Sequence, residues 1–140
     1  MKILIAVDGS EYTRRMLDFI AAHDAWLGPH SSYTVLHCVP PLPHRAAAFV
    51  DKDKARAIYD ADAEAVFKPI RSFCRRHRLA ATFVHRIGAP GPTIASFAQR
   101  QNADLIVLGS HGHGAVAGLV LGSVAAKVMA LTRTPVLLVR

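Results

Sequence analysis

The chain has 140 residues, of which 51% are hydrophobic and 19% are charged, and this balance excludes a disordered or fibrous protein. Seventeen lysines and arginines against ten acidic residues give a formal net charge of +7. Such a charge favours an anionic partner, namely a nucleotide, a nucleic acid or an acidic surface, without choosing among them. No acidic residue follows Asp104, so the last quarter of the chain is predicted to be electropositive.

The length is typical of a single domain, which we expect to span residues 1–140. No apolar run reaches the roughly 18 residues that a membrane span needs. The apolar start, Met1 to Val7, is too short for the core of a signal peptide. The sequence therefore predicts a cytoplasmic protein that does not enter a membrane. Its two cysteines, Cys38 and Cys74, are predicted to be small core residues rather than a redox pair.

Five short apolar segments are predicted to be β-strands. In chain order they are Ile3–Val7, Tyr33–Val39, Thr82–Ile87, Leu105–Leu108 and Val136–Val139. The third is the weakest, because His85 and Arg86 interrupt it. The fourth and fifth do not alternate with polar residues, which is typical of strands covered on both faces in a parallel sheet.

Four segments between the strands show helical spacing. The first stripe is Met16, Phe19, Ile20 and His23, with Ser10 or Thr13 as N-cap. The second is Val66, Ile70, Phe73, Cys74 and His77, in which Pro69 predicts a kink or a division into two helices. The third opens at Gly91–Pro92, turns Ile94, Phe97 and Ala98 inward and stops at Asn102. The fourth is capped by Ser123 and carries Val124, Val128 and Leu131.

The alternation of strands and helices predicts an α/β domain with a parallel sheet and helices on both faces. Ligands of such sheets bind at the carboxyl ends of the strands, where the strand order reverses. Three segments qualify as binding segments: Asp8–Ser10, His37–Val39 and the glycine-rich stretch after Leu108.

The glycine-rich stretch holds five glycines in fourteen residues: Gly109, Gly112, Gly114, Gly118 and Gly122. Glycine lets the backbone adopt positive φ and approach a ligand closely, and consecutive amides can then converge on an anion. The predicted helix that starts at Ser123 adds free N–H groups that favour a phosphate. We expect Gly112 to adopt positive φ in this loop. The alternative is a flexible loop closed by a helix cap.

Two better-known phosphate motifs do not fit this stretch. A Walker A loop needs a lysine directly after its last glycine, but Lys127 comes four residues after Ser123. A dinucleotide fold needs an acidic residue about 20 positions after its glycines, and the sequence has none there.

The spacing Gly109-x2-Gly112-x9-Gly122-Ser123 resembles the nucleotide-binding signature of the universal stress protein family. The opening Ile3–Ser10, the segment Asp104–Gly112 and the terminal Pro135–Val139 are also similar to that family, so the resemblance covers the whole chain. It implies a five-stranded open parallel sheet of order 3-2-1-4-5 in a three-layer, Rossmann-like α/β/α fold. It also implies a homodimer, which we expect to form through the edge strand Val136–Val139.

The resemblance further implies an ATP site, with or without Mg²⁺. Asp8 matches the aspartate that contacts the ribose, Ala6 and Val7 match residues beside adenine, and Cys38 stands where the family often has valine. Gly109, Ser110, His111, Gly112, His113 and Gly114 match the loop around ribose and phosphates, although family members vary at His113. Gly122, Ser123 and Val124 match the terminal phosphate site.

Other polar clusters predict no chemistry. His111 and His113 lie two residues apart on a loop, which is poor geometry for a closed zinc site, so we expect no metal site. Arg71, Arg75 and Arg78 favour a solvated helix face over a nucleic-acid interface, because neither interleaved aromatic residues nor a helix-turn-helix signature accompanies them. No catalytic residue is predicted.

The sequence thus favours a regulatory, ATP-binding stress protein that hydrolyses ATP slowly at most. Three alternatives stay open. They are a stress protein that acts through protein partners without a nucleotide, a nucleotide hydrolase or transferase of related fold, and a nucleic-acid-binding module.

Overall fold

Five parallel strands form the sheet in the computed structural model, which describes residues 1–23, 30–114 and 121–140. The strands are β1 (Lys2–Val7), β2 (Ser32–Val39), β3 (Ala81–Ile87), β4 (Leu105–Gly109) and β5 (Val136–Val139). Their order is β3-β2-β1-β4-β5, and every neighbouring pair is parallel. This confirms the predicted α/β fold and its strand order.

Helices in the described residues cover both faces of the sheet. They are α1 (Glu11–Ala22), α2 (His44–Ala47), α3 (Lys52–Arg76), α4 (Pro90–Gln101) and α5 (Ser123–Leu131). The short α2, which the sequence did not predict, follows the proline-rich loop at residues 40–43. No helix in this part of the chain is both long and apolar enough to cross a membrane.

The central strand β1 is buried on both sides, which explains its continuous apolar sequence. Ile3, Ile5 and Val7 face the core formed with α1 and α3, whereas Leu4 and Ala6 face the core formed with α4 and α5. Both cysteines are free and buried, in cores on opposite faces of the sheet, so they do not form a pair.

Pro69 does not divide its helix, because α3 runs without a break from Lys52 to Arg76. The proline cannot donate a hydrogen bond to the carbonyl of Ala65, one turn earlier. Both residues are exposed, so this carbonyl is left to solvent instead of being buried without a partner. Of the two predicted alternatives, a kink or a division, the division into two helices is therefore wrong.

Two helix starts differ from the sequence prediction. Helix α4 begins at Pro90, one residue before the predicted Gly91, and ends as predicted at Asn102, whose φ is 50°. Helix α5 begins at Ser123, so Gly122 and not Ser123 is its N-cap.

The inward stripe of α5 is also different from the predicted one. Val124 and Leu131 are 36% and 54% exposed, whereas Ala125 and Val128 are buried. The helix packs closely against α4, where a Cβ on Gly91 would come within 2.8 Å of the Lys127 side chain. This close packing, rather than helical spacing alone, decides which residues of α5 turn inward.

Candidate functional site

A cavity of about 310 Å³ lies at the carboxyl ends of β1, β2 and β4. The strand order reverses there, because β1 pairs with β2 on one side and with β4 on the other. All the site residues predicted from the sequence line it: Ala6, Val7, Asp8, Cys38, Gly109, Ser110, His111, Gly112, His113, Gly114, Gly122, Ser123 and Val124. The volume is at the lower end of the range of about 300–1,000 Å³ for small-molecule sites.

Asp8, the first residue after β1, is held in place by the start of α1. Its Oδ1 accepts hydrogen bonds from the backbone N–H of Ser10 and from the hydroxyl of Thr13, both at 2.9 Å. The Thr13 hydroxyl also accepts a bond of 3.1 Å from the Asp8 N–H. This double contact fixes the orientation of the carboxylate at the cavity.

Opposing effects act on the charge of Asp8. Burial raises the pKa of its carboxyl group, but the hydrogen bonds from Ser10 and Thr13, together with the charge of His113, lower the pKa below its ordinary value. The cavity therefore contains a fixed negative charge at neutral pH. A carboxylate in this state accepts hydrogen bonds and suits the hydroxyl groups of a polar ligand.

The glycine loop lies directly against Asp8. A Cβ built on Gly112 would clash with Oδ2 of Asp8, so only glycine fits at this position in the present arrangement. The expectation of positive φ at Gly112 is wrong, because the glycines with positive φ among the described residues are Gly9 and Gly88. Glycine is required at position 112 because a side chain would not fit beside Asp8, and not because the backbone adopts positive φ.

The two ends of the loop are joined by backbone hydrogen bonds. The N–H of Gly122 donates to the carbonyl of Ser110 at 2.7 Å, and the N–H of Ser110 donates to the carbonyl of Val139 at 2.8 Å. A Cβ on Gly122 would lie 2.9 Å from the same Ser110 oxygen. The loop thus begins and ends at one point beside β5, although residues 115–120, which include the predicted Gly118, lie outside the described residues.

The start of α5 supplies N–H groups to the cavity. Its first intrahelical hydrogen bond joins the N–H of Ala126 to the carbonyl of Gly122 at 3.0 Å. The N–H groups of Ser123, Val124 and Ala125, all lining residues, therefore have no partner within the helix. Together with the helix dipole and the exposed Ser123 side chain, they favour a negatively charged ligand group.

The two histidines of the loop have different surroundings. His113 is exposed, and its Nε2 donates to the backbone carbonyl of Asp8 at 2.8 Å. The Nδ1 of His111 lies 3.1 Å from the Ser110 hydroxyl, and its ring is tilted against that of Tyr12 at 5.3 Å. The described residues contain no group of three or more His, Cys, Asp or Glu that could hold a metal ion.

The opposite wall of the cavity is apolar. It is built from Ala6, Leu36, Cys38, Ile94 and Leu108. Burial raises the pKa of the Cys38 thiol to about 11, so this side chain is neutral at physiological pH. The cavity therefore combines an apolar side suited to a flat ring with a polar side rich in N–H groups.

Sequence reasoning missed six lining residues, namely Thr13, Leu36, Pro90, Ile94, Leu108 and Ala125, and it included a seventh, His37, in a binding segment without predicting it as a site residue. Thr13 could have been found, because a hydroxyl five residues after Asp8 lies in the first turn of a helix that starts beside it. Pro90 and Ile94 carry no such signal, since only the packing of α4 beneath the sheet brings them to the cavity. His37 is buried in β2, where its Nδ1 lies 2.8 Å from the carbonyl of Val7.

Known proteins resemble this chain over its whole length. A model of the universal stress protein family matches residues 1–140. The chain is 33% identical over 145 positions to a universal stress protein of Thermus aquaticus, in an alignment that covers 99% of this chain and 97% of the relative.

Three solved structures of similar fold contain an adenine nucleotide. A universal stress protein of Archaeoglobus fulgidus in complex with dAMP has a TM-score of 0.71 at 22% identity, over 100% of this chain and 98% of that one. A universal stress protein in complex with cAMP has a TM-score of 0.71 at 22% identity, over 100% and 96%. A family member from Arabidopsis thaliana with AMP bound has a TM-score of 0.70 at 15% identity, over 99% and 90%.

Proposed function

Because this chain belongs to the universal stress protein family, we propose that it is a regulatory protein that binds an adenine nucleotide, ATP, in the cavity between β1 and β4. The apolar side of the cavity would take the adenine ring, and the polar side the ribose and phosphates. Three proteins of similar fold contain dAMP, cAMP and AMP, which supports the adenine nucleotide class.

One observation carries the proposal, namely that Asp8, the glycine loop and the start of α5 all line one cavity. The Asp8 carboxylate, fixed by Ser10 and Thr13, suits ribose hydroxyls, which can donate hydrogen bonds to it. The N–H groups at the start of α5 have no partner within the helix and suit phosphate oxygens, which can only accept hydrogen bonds. Because the cavity holds both an acceptor for hydroxyl groups and donors for phosphate oxygens, it suits a nucleoside phosphate better than a free sugar or a free phosphate.

The N–H groups also favour a triphosphate over a monophosphate. Both the loop after β4 and the first turn of α5 line the cavity, so we expect N–H groups from two segments to contact more than one phosphate. Charge-assisted hydrogen bonds contribute about 1.5–3 kcal/mol each. About four of them, less the cost of ordering the ligand and loop, would support the −8 kcal/mol or so of micromolar binding.

Magnesium would come with the phosphates and not from a protein site. Mg²⁺ is usually held by one or two carboxylates together with substrate phosphates. Among the described lining residues Asp8 is the only carboxylate, and its Oδ1 already accepts two hydrogen bonds. We therefore expect ATP to bind both with Mg²⁺ and in the presence of a chelator.

Isothermal titration calorimetry tests the proposal on protein freed of any copurified nucleotide. We expect micromolar affinity for ATP, weaker binding of AMP, which has a single phosphate, and weaker binding of GTP, whose ring edge differs. Equal affinity for ATP and AMP would indicate that the ligand is a nucleoside monophosphate and not ATP. Absence of heat with ATP, AMP and cAMP, in protein shown by circular dichroism to be folded, would favour a stress protein that acts through partners alone.

The C-terminal strand supports a second proposal, that two chains form a homodimer. β5 is an edge strand whose one neighbour in the described sheet is β4. Beside this edge, Phe19, Leu121, Leu137, Leu138 and Val139 line a largely apolar groove. An apolar strand edge invites pairing, and antiparallel pairing across a two-fold axis would cover it.

A further inference from the structure

Positively charged residues lie in and beside the turns that lead into the strands, at the amino end of the sheet and opposite the cavity. Helix α3 leads into β3, α4 into β4 and α5 into β5, so the residues that join them lie at one end of a parallel sheet. This end, which we call the basic end, consists of Lys2, Arg75, Arg76, Arg78, Arg100 and Arg133.

The charge of the basic end is not neutralised within the described part of the chain. All six side chains belong to exposed residues, and none takes part in a salt bridge there. Among the described residues of these turns, the one carboxylate is that of Asp104, which accepts a hydrogen bond of 2.6 Å from the Lys2 backbone N–H. The positive potential is therefore directed outward.

Arg78 occupies a backbone position that does not suit arginine. Its φ is 55°, and the turn after α3 is closed by bonds from the N–H of Arg78 to the carbonyl of Arg75 and from Leu79 to Cys74. The turn after α4 has the same hydrogen-bond pattern, with Asn102 at the equivalent place. Glycine or asparagine is usual there, because a left-handed conformation strains other residues. Helix stability does not explain an arginine at this position, whereas a need for positive charge does.

We propose that the basic end binds the phosphate backbone of double-stranded nucleic acid, without reading its sequence. Five of its six cations are arginines, whose planar fork of donors matches phosphate oxygens. They extend from the turn before β3 at one edge of the sheet to the turn before β5 at the other. This span is about 19 Å, from four strand spacings of about 4.8 Å. Such a width exceeds the roughly 12 Å of a duplex major groove and so reaches phosphates on both sides.

The sequence favoured a solvated face for the arginines of α3, since it shows neither interleaved aromatic residues nor a helix-turn-helix signature. Those features serve base stacking and base reading, which backbone binding does not require. The fold adds what the sequence of one helix could not, because Arg100 comes from the end of α4 and Arg133 from the connection between α5 and β5. The dipole of α3 would favour one or two cations in its last turn, but it does not account for Arg133.

Fluorescence anisotropy with a labelled DNA duplex of mixed sequence tests the proposal, in the absence of nucleotide. We expect a dissociation constant of about 10⁻⁴–10⁻⁶ M near physiological salt, with the logarithm of affinity falling linearly with the logarithm of salt concentration. The variant R75Q/R76Q/R100Q should weaken binding at least tenfold at low salt. The variant should also make the slope of log affinity against log salt concentration shallower by about 0.9 for each phosphate contact that is lost.

The matched control is the variant K52Q/K54Q/R56Q, which removes three cations from the first turns of the same helix. It should leave DNA affinity within about twofold, a difference of about 0.4 kcal/mol. A second variant, Arg78→Gly, removes a cation while relieving the strained backbone. It should weaken DNA binding while the melting temperature stays equal or rises, a combination that a purely structural role would not produce.

Three results would overturn the proposal. One is an equal loss of DNA affinity in the control variant, which would show that the effect depends on net charge alone. Another is unchanged affinity in the basic-end variants. The third is binding of poly-glutamate as tight as that of DNA at equal charge concentration, which would identify an acidic protein partner instead. Because the duplex assay contains no ATP and the basic end lies opposite the cavity, the result is independent of nucleotide binding.

Discussion

Gly112 and Asp8 lie so close together that a side chain on the glycine would clash with Oδ2 of the aspartate. The two residues belong to different strand-to-helix connections, and His113 strengthens their contact by donating to the Asp8 carbonyl. The glycine loop is therefore packed on the end of β1. A ligand in the cavity beside this contact would meet both the Asp8 carboxylate and the glycine loop.

Gly112→Val should lower the affinity for ATP at least tenfold, which corresponds to about 1.4 kcal/mol. The new Cβ clashes with the Asp8 carboxylate, so either the loop or Asp8 must move. Calorimetric titration with ATP measures the effect. Gly114→Val is the matched control, because a Cβ on Gly114 meets no atom of the described residues within 4 Å, and its loss of ATP affinity should be clearly smaller. Equal losses in both variants would argue against the contact with Asp8.

Ser123→Ala should weaken ATP binding less than Gly112→Val does. The substitution removes one exposed hydroxyl at the start of α5 but leaves the backbone N–H groups of the first turn in place. A net loss of about 0.5–1.5 kcal/mol is expected for one hydrogen bond. The same titration measures it, and circular dichroism should show an unchanged fold. A loss larger than that of Gly112→Val would assign the phosphate contact to the side chain.

Asp8→Asn should reduce stability at neutral pH, and the deficit should shrink as the pH falls. The pKa of Asp8 in the folded protein lies below its ordinary value of 3.8, so the ionised group stabilises the fold. This contribution is complete above the pKa of the unfolded chain and is lost as the pH falls through the pKa of the folded protein. Urea unfolding of both proteins, from about pH 7 to about pH 3, measures it. A deficit that does not change with pH would contradict the prediction.

ATP hydrolysis should be far slower than the ordinary turnover of enzymes, about 1–10³ per second. Among the described lining residues the cavity has no lysine, and its single carboxylate is engaged by Ser10 and Thr13. Release of phosphate from ATP by purified protein is the measurement. Turnover of several per second that is lost in His111→Ala or His113→Ala would identify an enzyme instead.

The purified protein should have the mass of two chains by light scattering at micromolar concentration. Val136→Pro should shift it toward one chain. The carbonyls of Pro135 and Val139 accept bonds from Ile106 in β4 and from Ser110 directly after it, so by strand alternation the N–H of Val136 points to the free edge. Proline removes that donor without removing a bond to β4. A monomeric wild-type protein, or a variant that stays dimeric, would place the interface elsewhere.

Sequence patterns alone were sufficient to predict the alternation of strands and helices and the segments after β1 and β4 that line the cavity, but not the strand order. The order followed from the family resemblance. The strands were readable because both faces of β1 and β4 are covered, which leaves uninterrupted apolar runs. Asp8 and the glycine loop could be predicted as binding segments because each directly follows the apolar segment of a buried strand. In a parallel sheet the ends of these strands meet at one edge.

The tertiary structure decided what depends on neighbours distant in the chain. It showed that Gly112 is needed for space beside Asp8 and not for positive φ. Because α5 packs on α4, Val124 and Leu131 face outward. The carbonyl of Ala65, to which Pro69 cannot donate, is left to solvent, and α3 stays continuous. The tertiary structure also brought Arg100 and Arg133 to the same end as Arg78. Periodicity reports which side of an element is apolar, whereas these contacts depend on how elements are placed against one another, which no local pattern encodes.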